Sequence, residues 1–312
     1  MKKKFLILGG AGFIGSNFVE YLKLKKIQFK IVDNLLEGSD YIFYKKNKVH
    51  IYKKDASNFN FLKNIILKVN PDYLVNFAAQ SHVDRSIKNP ENFIFNNLKI
   101  TYNILEIKRK LNFNFKFINI STDEVYGSIK KGFFTEKSSL LPNSPYSMSK
   151  TSSDLLCRSY YETYGIKTLT LRLCNNYGYR QHDEKYIPTI LKKLKKNQKI
   201  PIYGDGKNRR EWMFVEDSVK IIYNLSQKAS NDIINISSCF EIDNLQLAKK
   251  IILKYHNTNN FMKYIKFVKD RPGHDLRYSL RSNKLKKIIG NYKFISLDEG
   301  LLRTINWYKK NR

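Results

Sequence analysis

The chain has 312 residues, 42% of them hydrophobic, enough to bury a full core in one large domain or two modest ones. Its 57 Lys+Arg against 27 Asp+Glu give a formal net charge of +30, but the lysines are spread along the chain with only short clusters such as Lys192-Lys193 and Lys195-Lys196. A specific nucleic-acid footprint concentrates charge on one face and is not expected here, although positive potential would help to draw in a diphosphate. The excess accompanies abundant Lys, Asn, Ile, Phe and Tyr and reads as compositional bias. Cys157, Cys174 and Cys239 have neither zinc nor disulfide spacing and suit a reducing cytoplasm, and His50, His82, His182, His256 and His274 form no metal-ligand pattern. No stretch is long and apolar enough to span a membrane.

Met1-Lys2-Lys3-Lys4 followed by Phe5-Leu6-Ile7-Leu8 imitates a signal peptide, but the apolar run breaks at Gly9-Gly10 with no small-residue cleavage site after it. The run reads instead as a strand buried on both faces. Gly9-Gly10-Ala11-Gly12-Phe13-Ile14-Gly15 follows, then a helical pattern through Phe18, Val19, Tyr21, Leu22 and Leu24. Such a loop lets the backbone approach a pyrophosphate, which then sits on the helix N-terminus. A second strand, Phe29 to Val32, ends at Asp33, at the distance where an acid meets the adenosine ribose. A carboxylate there repels a 2′-phosphate, and no Arg or Lys immediately follows, so NAD is favoured over NADP; the plainer alternative is that Asp33 caps a turn. Val49 to Tyr52 leads to Asp55, Tyr73 to Phe77 to Ala78-Ala79-Gln80-Ser81, Phe115 to Ile120 to Asp123-Glu124, and Lys167 to Leu173 is a further strand. The alternation predicts an α/β fold, a Rossmann-like doubly wound parallel sheet with ligands beyond the carboxyl ends of its strands.

Two motifs carry chemistry. Tyr-x-x-x-Lys recurs by chance at Tyr21/Lys25, Tyr41/Lys45, Tyr44/Lys48 and Tyr203/Lys207, but Tyr146/Lys150 follows Pro145 and opens a stretch free of Pro and Gly until Gly165. On that helix the pair shares a face. An ammonium near the phenol, aided by a nicotinium charge, should lower the Tyr146 pKa and make it a usable base. Ser121-Thr122-Asp123-Glu124 matches a Ser-x-x-Glu capping box, and equally a turn that aims an acid and a base into the cleft; from these residues alone both stand.

Further motifs complete a pattern: Ala78-Ala79-Gln80-Ser81-His82-Val83-Asp84-Arg85-Ser86, Asn175-Asn176-Tyr177-Gly178, Pro201-Ile202-Tyr203-Gly204-Asp205-Gly206, Val215-Glu216-Asp217 and Asp270-Arg271-Pro272-Gly273-His274-Asp275-Leu276-Arg277-Tyr278. From Gly9 to about Leu285 the chain resembles the extended short-chain dehydrogenase/reductases, and within them the dTDP-glucose 4,6-dehydratases. The resemblance implies that Tyr146 takes the C4 hydroxyl proton as hydride passes to NAD, with Lys150 holding the ribose. It implies that Glu124 removes the C5 proton, that Asp123 protonates the departing C6 hydroxyl, that Thr122 bonds the C4 oxygen, and that hydride returns to C6. For NAD it carries over Gly9, Gly12, Phe13, Ile14 and Gly15 at the pyrophosphate, Asp33, Asn34, Leu35 and Leu36 at the ribose, Asp55 and Ala56 at the adenine, and Phe77, Ala78, Ala79, Ser81, Asn96 and Asn176 elsewhere along the cofactor. For the nucleotide sugar it carries over Ser81, Thr122, Asn175, Lys185, Tyr186, Pro201, Ile202, Tyr203, Arg210, Asn235, Asp270, Arg271, His274 and Tyr278.

The same resemblance implies an NAD-binding Rossmann domain over 1-172 and roughly 215-238, and a smaller α/β substrate domain over 173-214 and 239-312. It also suggests a cytoplasmic homodimer paired through helices of the first domain, no metal, and a role in surface-polysaccharide precursor synthesis such as dTDP-rhamnose formation. Gln80 stands where many members carry Glu, Arg209-Arg210-Glu211-Trp212 replaces a more usual Arg-Asp-Trp, and the stretch from Gly127 to Tyr146 is short. A dehydratase or 4-epimerase acting on another nucleotide sugar such as UDP-glucose is the alternative; an epimerase has no need of the Asp123-Glu124 pair.

Overall fold

A computed structural model describes residues 3–36 and 38–312, without the side chains of residues 41 and 42; the basic start at Met1-Lys2 lies outside the described residues. The first half alternates strand and helix: β1 (Lys4–Leu8), α1 (Phe13–Leu24), β2 (Gln28–Asp33), α2 (Tyr41–Asn47), β3 (Ile51–Lys53), α3 (Phe59–Val69), β4 (Tyr73–Asn76), α4 (Val83–Lys88), α5 (Glu91–Lys110), β5 (Lys116–Thr122), α6 (Pro145–Tyr164) and β6 (Thr168–Leu173). The second half is more broken: β7 (Asn175–Tyr177), α7 (Tyr186–Lys195), β8 (Ile200–Tyr203), β9 (Arg209–Phe214), α8 (Val215–Lys228), β10 (Asp232–Ile236), β11 (Glu241–Asp243), α9 (Asn244–His256), β12 (Ile265–Val268), α10 (Asn283–Ile289) and α11 (Leu297–Asn311).

Seven strands pair in parallel in the order β3-β2-β1-β4-β5-β6-β10, the doubly wound arrangement expected from the sequence. Side chains alternate across it. Phe5 and Ile7 join a core layer with Phe18 and Val19 of α1 and Ile222 and Leu225 of α8, while Leu6 and Leu8 join the opposite layer with Leu62 of α3, Ile104 of α5 and Cys157 of α6. The helices follow from their sequences. In α3, Leu62, Ile65, Ile66 and Val69 make the buried stripe, and Asn58 caps it by accepting from the Phe61 amide at 2.9 Å. In α6, Ser144 and Ser147 form a reciprocal capping box, Pro145 takes the first turn, and Gly165 ends the helix in the left-handed region.

One strand begins later than its apolar run suggests. Val49 is not in β3, because its amide donates to the Tyr44 carbonyl and closes α2 after Lys48 turns left-handed. The second lobe has its own core, in which Ile190, Leu191, Trp212, Phe214, Ile251, Leu301 and Ile305 pack together beneath the three-stranded sheet β11-β9-β7 and the pair β12-β8.

The glycine loop is where the fold is least tolerant. Gly9 sits at φ +71°, and a Cβ there would lie 2.4 Å from the Ala78 nitrogen at the end of β4. Gly9→Ala should therefore destabilise the protein by about 2–4 kcal/mol, combining left-handed strain with a backbone collision. Thermal unfolding followed by circular dichroism checks this, and an unchanged melting temperature would contradict the close approach.

Candidate active site

A cleft of about 580 Å³ opens where the first lobe's strands end and the second lobe begins. At one end of the cleft Gly12 precedes α1 with extended backbone and no side-chain cap, so the first amides of the helix face the cleft without a competing side chain. A Cβ on Gly15 would lie 2.3 Å from the Gly9 carbonyl oxygen, so only glycine lets the loop fold this tightly. Asp33 accepts from the Ala11 amide and the Leu35 amide, both at 2.8 Å, so the turn-capping alternative is realised in a residue that also lines the cleft. Burial raises its pKa, against the pull of those two amides. Asn34, Leu36, Asp55, Ala56, Phe77, Ala78, Ala79, Ser81, Asn96 and Asn176 line the same wall. Leu35 does not: it stands at φ 57° and packs against the core.

At the other end, β5 stops at Thr122, whose hydroxyl accepts from the Glu124 amide at 3.3 Å and starts a single 3₁₀ turn, Asp123–Tyr126. The cap is thus Thr122 and the Ser121–Glu124 capping box does not form, which leaves both carboxylates available. Asp123 is 1% exposed; one oxygen meets the Thr122 hydroxyl at 3.1 Å and the other has no partner among the described residues. Burial first, then the Glu124 and Glu211 carboxylates, hold Asp123 well above the ordinary carboxyl range. Burial also raises Glu124, but Lys185, Arg271 and Arg210 oppose it with positive charge. Asp123 is thus pushed further towards its protonated form than Glu124, whose ionised form the three cations favour, the division that acid–base work requires.

Tyr146 and Lys150 line the cleft from the first turns of α6, both buried. The expected lowering of Tyr146 is not produced by the protein's own charges: burial and then the Glu124 and Asp123 carboxylates push it up, partly offset by the Thr122 hydroxyl. Lys150 instead donates to the Ile120 carbonyl at 2.5 Å, and burial lowers its pKa. A positive charge beside the phenol would act in the opposite direction. The helix is pinned by Asn97, absent from the residues expected, which donates to Ser149 at 2.9 Å while accepting from the Gln80 amide at 2.8 Å.

The outer wall joins the lobes. Lys185 donates to the Ser81 carbonyl at 2.6 Å, Arg85 pairs with Glu184 at 2.5 Å, and Arg271 pairs with Asp84 at 2.9 Å. Ser81, Asn175, Lys185 and Tyr186 line the cleft, as do His82, His182, Gln181 and Trp212, which sequence reasoning did not single out. Arg210 stacks 4.3 Å over the Tyr278 ring, and both act electrostatically on Glu124 or feel it. Asp270 meets His274 at 2.7 Å, and His274 faces Tyr203. Pro201 flanks Ile202, which is a core residue of the second lobe. Asn235 does not reach the cleft: it is wholly buried, accepting from Tyr126 at 2.8 Å and donating to the Phe134 carbonyl.

Comparison with known proteins supports the same assignment. The family model described as GDP-mannose 4,6 dehydratase matches residues 6–304. A dTDP-glucose 4,6-dehydratase of Haemophilus influenzae is 37% identical, covering 98% of either chain. A low-salt glycan biosynthesis protein of Haloferax volcanii is 38% identical over 97% of each. The dTDP-glucose 4,6-dehydratase of Streptomyces venezuelae, solved with NAD and TYD bound, superposes with a TM-score of 0.93 at 36% identity and covers 99% of this chain and 98% of its own. The chain belongs to the GDP-mannose 4,6 dehydratase family, among the extended short-chain dehydrogenase/reductases and alongside the dTDP-glucose 4,6-dehydratases.

Proposed function

We propose that this chain is an NAD-dependent hydro-lyase that converts dTDP-glucose to dTDP-4-keto-6-deoxyglucose. The observation that carries the proposal is the Asp123-Glu124 turn set against Tyr146 and Lys150 in one cleft. NAD fits the glycine cradle: the α1 amides suit its pyrophosphate, and Asp33 suits a ribose without a 2′-phosphate. Bound there, NAD would supply an acceptor for the C4 hydride and its later return to C6, with Glu124 giving its proton back to C5. Tyr146 removes the C4 hydroxyl proton, and Thr122 holds the oxygen from which it comes. The resulting ketone acidifies C5, where Glu124 takes the proton. Asp123, pushed towards its protonated form by burial, donates to the leaving hydroxyl, and one water departs. A pH rise through the raised Asp123 pKa removes that proton and with it the elimination step. Lys185, which lines the cleft, supplies positive charge for the diphosphate, and Arg210 and Arg271, which act on Glu124, add to the positive potential behind it.

In this proposal the large-sheet lobe serves NAD and the second lobe serves the nucleotide sugar. The outward faces of α5 and α6 support a homodimer: Phe95 and Tyr102 on one, Met148 and Leu155 on the other, each pair seven residues apart, are 66%, 44%, 36% and 48% exposed. No described helix is long and apolar enough to cross a membrane, and the free cysteines fit a cytoplasmic enzyme supplying sugars for surface polysaccharide.

Mass spectrometry of dTDP-glucose and UDP-glucose after incubation with the protein and NAD should show loss of one water, faster from the dTDP sugar; loss from UDP-glucose alone would reassign the base. Glu124→Gln should abolish water loss by about 100-fold or more while C4 oxidation still builds up NADH, and Tyr146→Phe should suppress both. Unchanged turnover in either variant would refute its assigned role. Light scattering should give a dimer, and Leu155→Lys should shift it towards monomer; a wild-type monomer would remove the pairing proposal.

A further inference from the structure

Beneath the cleft runs a chain of buried polar groups that the reaction above does not use. Arg172 of β6 donates from Nε to Asp154 of α6 at 2.9 Å and from Nη1 to the Tyr126 hydroxyl at 2.7 Å. The Tyr126 hydroxyl donates in turn to the Asn235 side-chain carbonyl on β10 at 2.8 Å, and Asn119 of β5 donates to the second Asp154 oxygen at 3.2 Å. The guanidinium lies 4.8 Å from the Tyr126 ring centre, and that ring stacks on Phe134. Asp154, Arg172, Tyr126 and Asn235 are each no more than 2% exposed.

Stability alone is a weak reason for such a network, because a buried ion pair is often replaceable by well-packed apolar side chains. Its placement is more telling. Tyr126 is the last residue of the turn that carries Asp123 and Glu124. Asp154 stands one and two turns of α6 beyond Lys150 and Tyr146, on the same face of the helix. The chain of bonds thus joins the acid–base turn to the Tyr/Lys helix from below.

We propose that Asp154, Arg172 and Tyr126 are positioning residues that hold the Asp123-Glu124 turn and the Tyr146/Lys150 helix in register, and that Asp154 is the counter-charge of Lys150. Lys150 has Asp154 and Cys157 beside it on its own helix and the Ile120 carbonyl facing it from β5. Asp154 in turn faces Arg172 on β6 and Asn119 and Ser121 on β5. Burial disfavours the Lys150 ammonium, and Asp154 opposes that effect.

This inference rests on the catalytic roles proposed above, and its test separates the two. Tyr126→Phe keeps the ring and removes the hydroxyl that links Arg172 to Asn235. In single turnover with dTDP-glucose it should leave C4 oxidation within about twofold of wild type but slow water loss about 10-fold, because a small misplacement of the acid pair is costly to that step alone. NADH should then accumulate. Asp154→Asn should move the alkaline limb of C4 oxidation, read as NADH formation in single turnover, down by about one pH unit, since Lys150 without its carboxylate neighbour deprotonates earlier. NAD+ affinity, followed by tryptophan fluorescence, should weaken over the same pH range. The neutral pair Asp154→Asn/Arg172→Gln should recover melting temperature yet keep the shifted limb, which a merely structural role does not explain. A wild-type partition between the two steps in Tyr126→Phe would overturn the positioning role. An unmoved limb and an unmoved affinity profile in Asp154→Asn would overturn the counter-charge role. Should the wild-type protein be inert towards dTDP-glucose, the functional proposal fails, and the NAD+ affinity profile still decides the role of Asp154.

Discussion

Exclusion of water from the carboxyl end of β5 is the constraint on which the site depends. Burial is the largest influence on Asp123, Glu124, Tyr146 and Lys150 alike, and it drives each towards its neutral form. The surroundings then sort the groups. Asp123 has carboxylate neighbours that push it further towards its protonated form, while Lys185, Arg271 and Arg210 oppose that push on Glu124. Lys150 has Asp154 behind it. There is a thermodynamic cost: a carboxyl whose pKa is raised by folding stabilises the fold at low pH, and that contribution is lost as pH rises through the raised value. At neutral pH the acid pair therefore works against the fold, and the apolar layers on both faces of the sheet must offset it.

The sheet order explains why these groups meet. In a doubly wound sheet the strand ends on either side of the β1–β4 reversal open into one crevice. The glycine loop after β1, the acid that ends β2, the Ala78-Ala79 segment after β4 and the turn that follows Thr122 at the end of β5 all fall there. The second lobe, entered directly after β6, supplies the positive rim and closes the crevice through Lys185, Arg85–Glu184 and Arg271–Asp84.

Much of this was legible in the chain. The short apolar runs marked β1, β2, β4, β5 and β6, because strands buried on both faces need no alternation to be seen. The glycine loop and the Tyr146/Lys150 helix were legible from spacing and from Pro145. The turn at Asp123 was ambiguous because Ser121 and Thr122 are both competent caps; only the end point of β5 decides between them. The three-residue strands β7 and β11 left no periodicity, and β11 finds its partner β9 about thirty residues upstream. Asp154 and Arg172 were invisible for another reason. A lysine and an aspartate four apart on a helix look like a solvated pair, and nothing local says that this face lies against the sheet. Asn235 shows the opposite error, a polar residue assigned to a ligand that the fold spends on its own interior.

The return of the chain to the large sheet has a consequence for biosynthesis. β6 is complete at Leu173, yet its outer edge is covered only by β10, more than fifty residues later. Until Asp232–Ile236 emerges, a nascent chain carries every strand of the large sheet but one, with an edge strand whose amides and carbonyls are unpaired and whose one face is apolar through Leu169, Leu171 and Leu173. The two lobes are therefore not separable by cutting the gene once. A fragment ending before β10 would present a strand-sized gap to other chains, and synthesis through the second lobe's first sheet strands must precede closure of the first lobe.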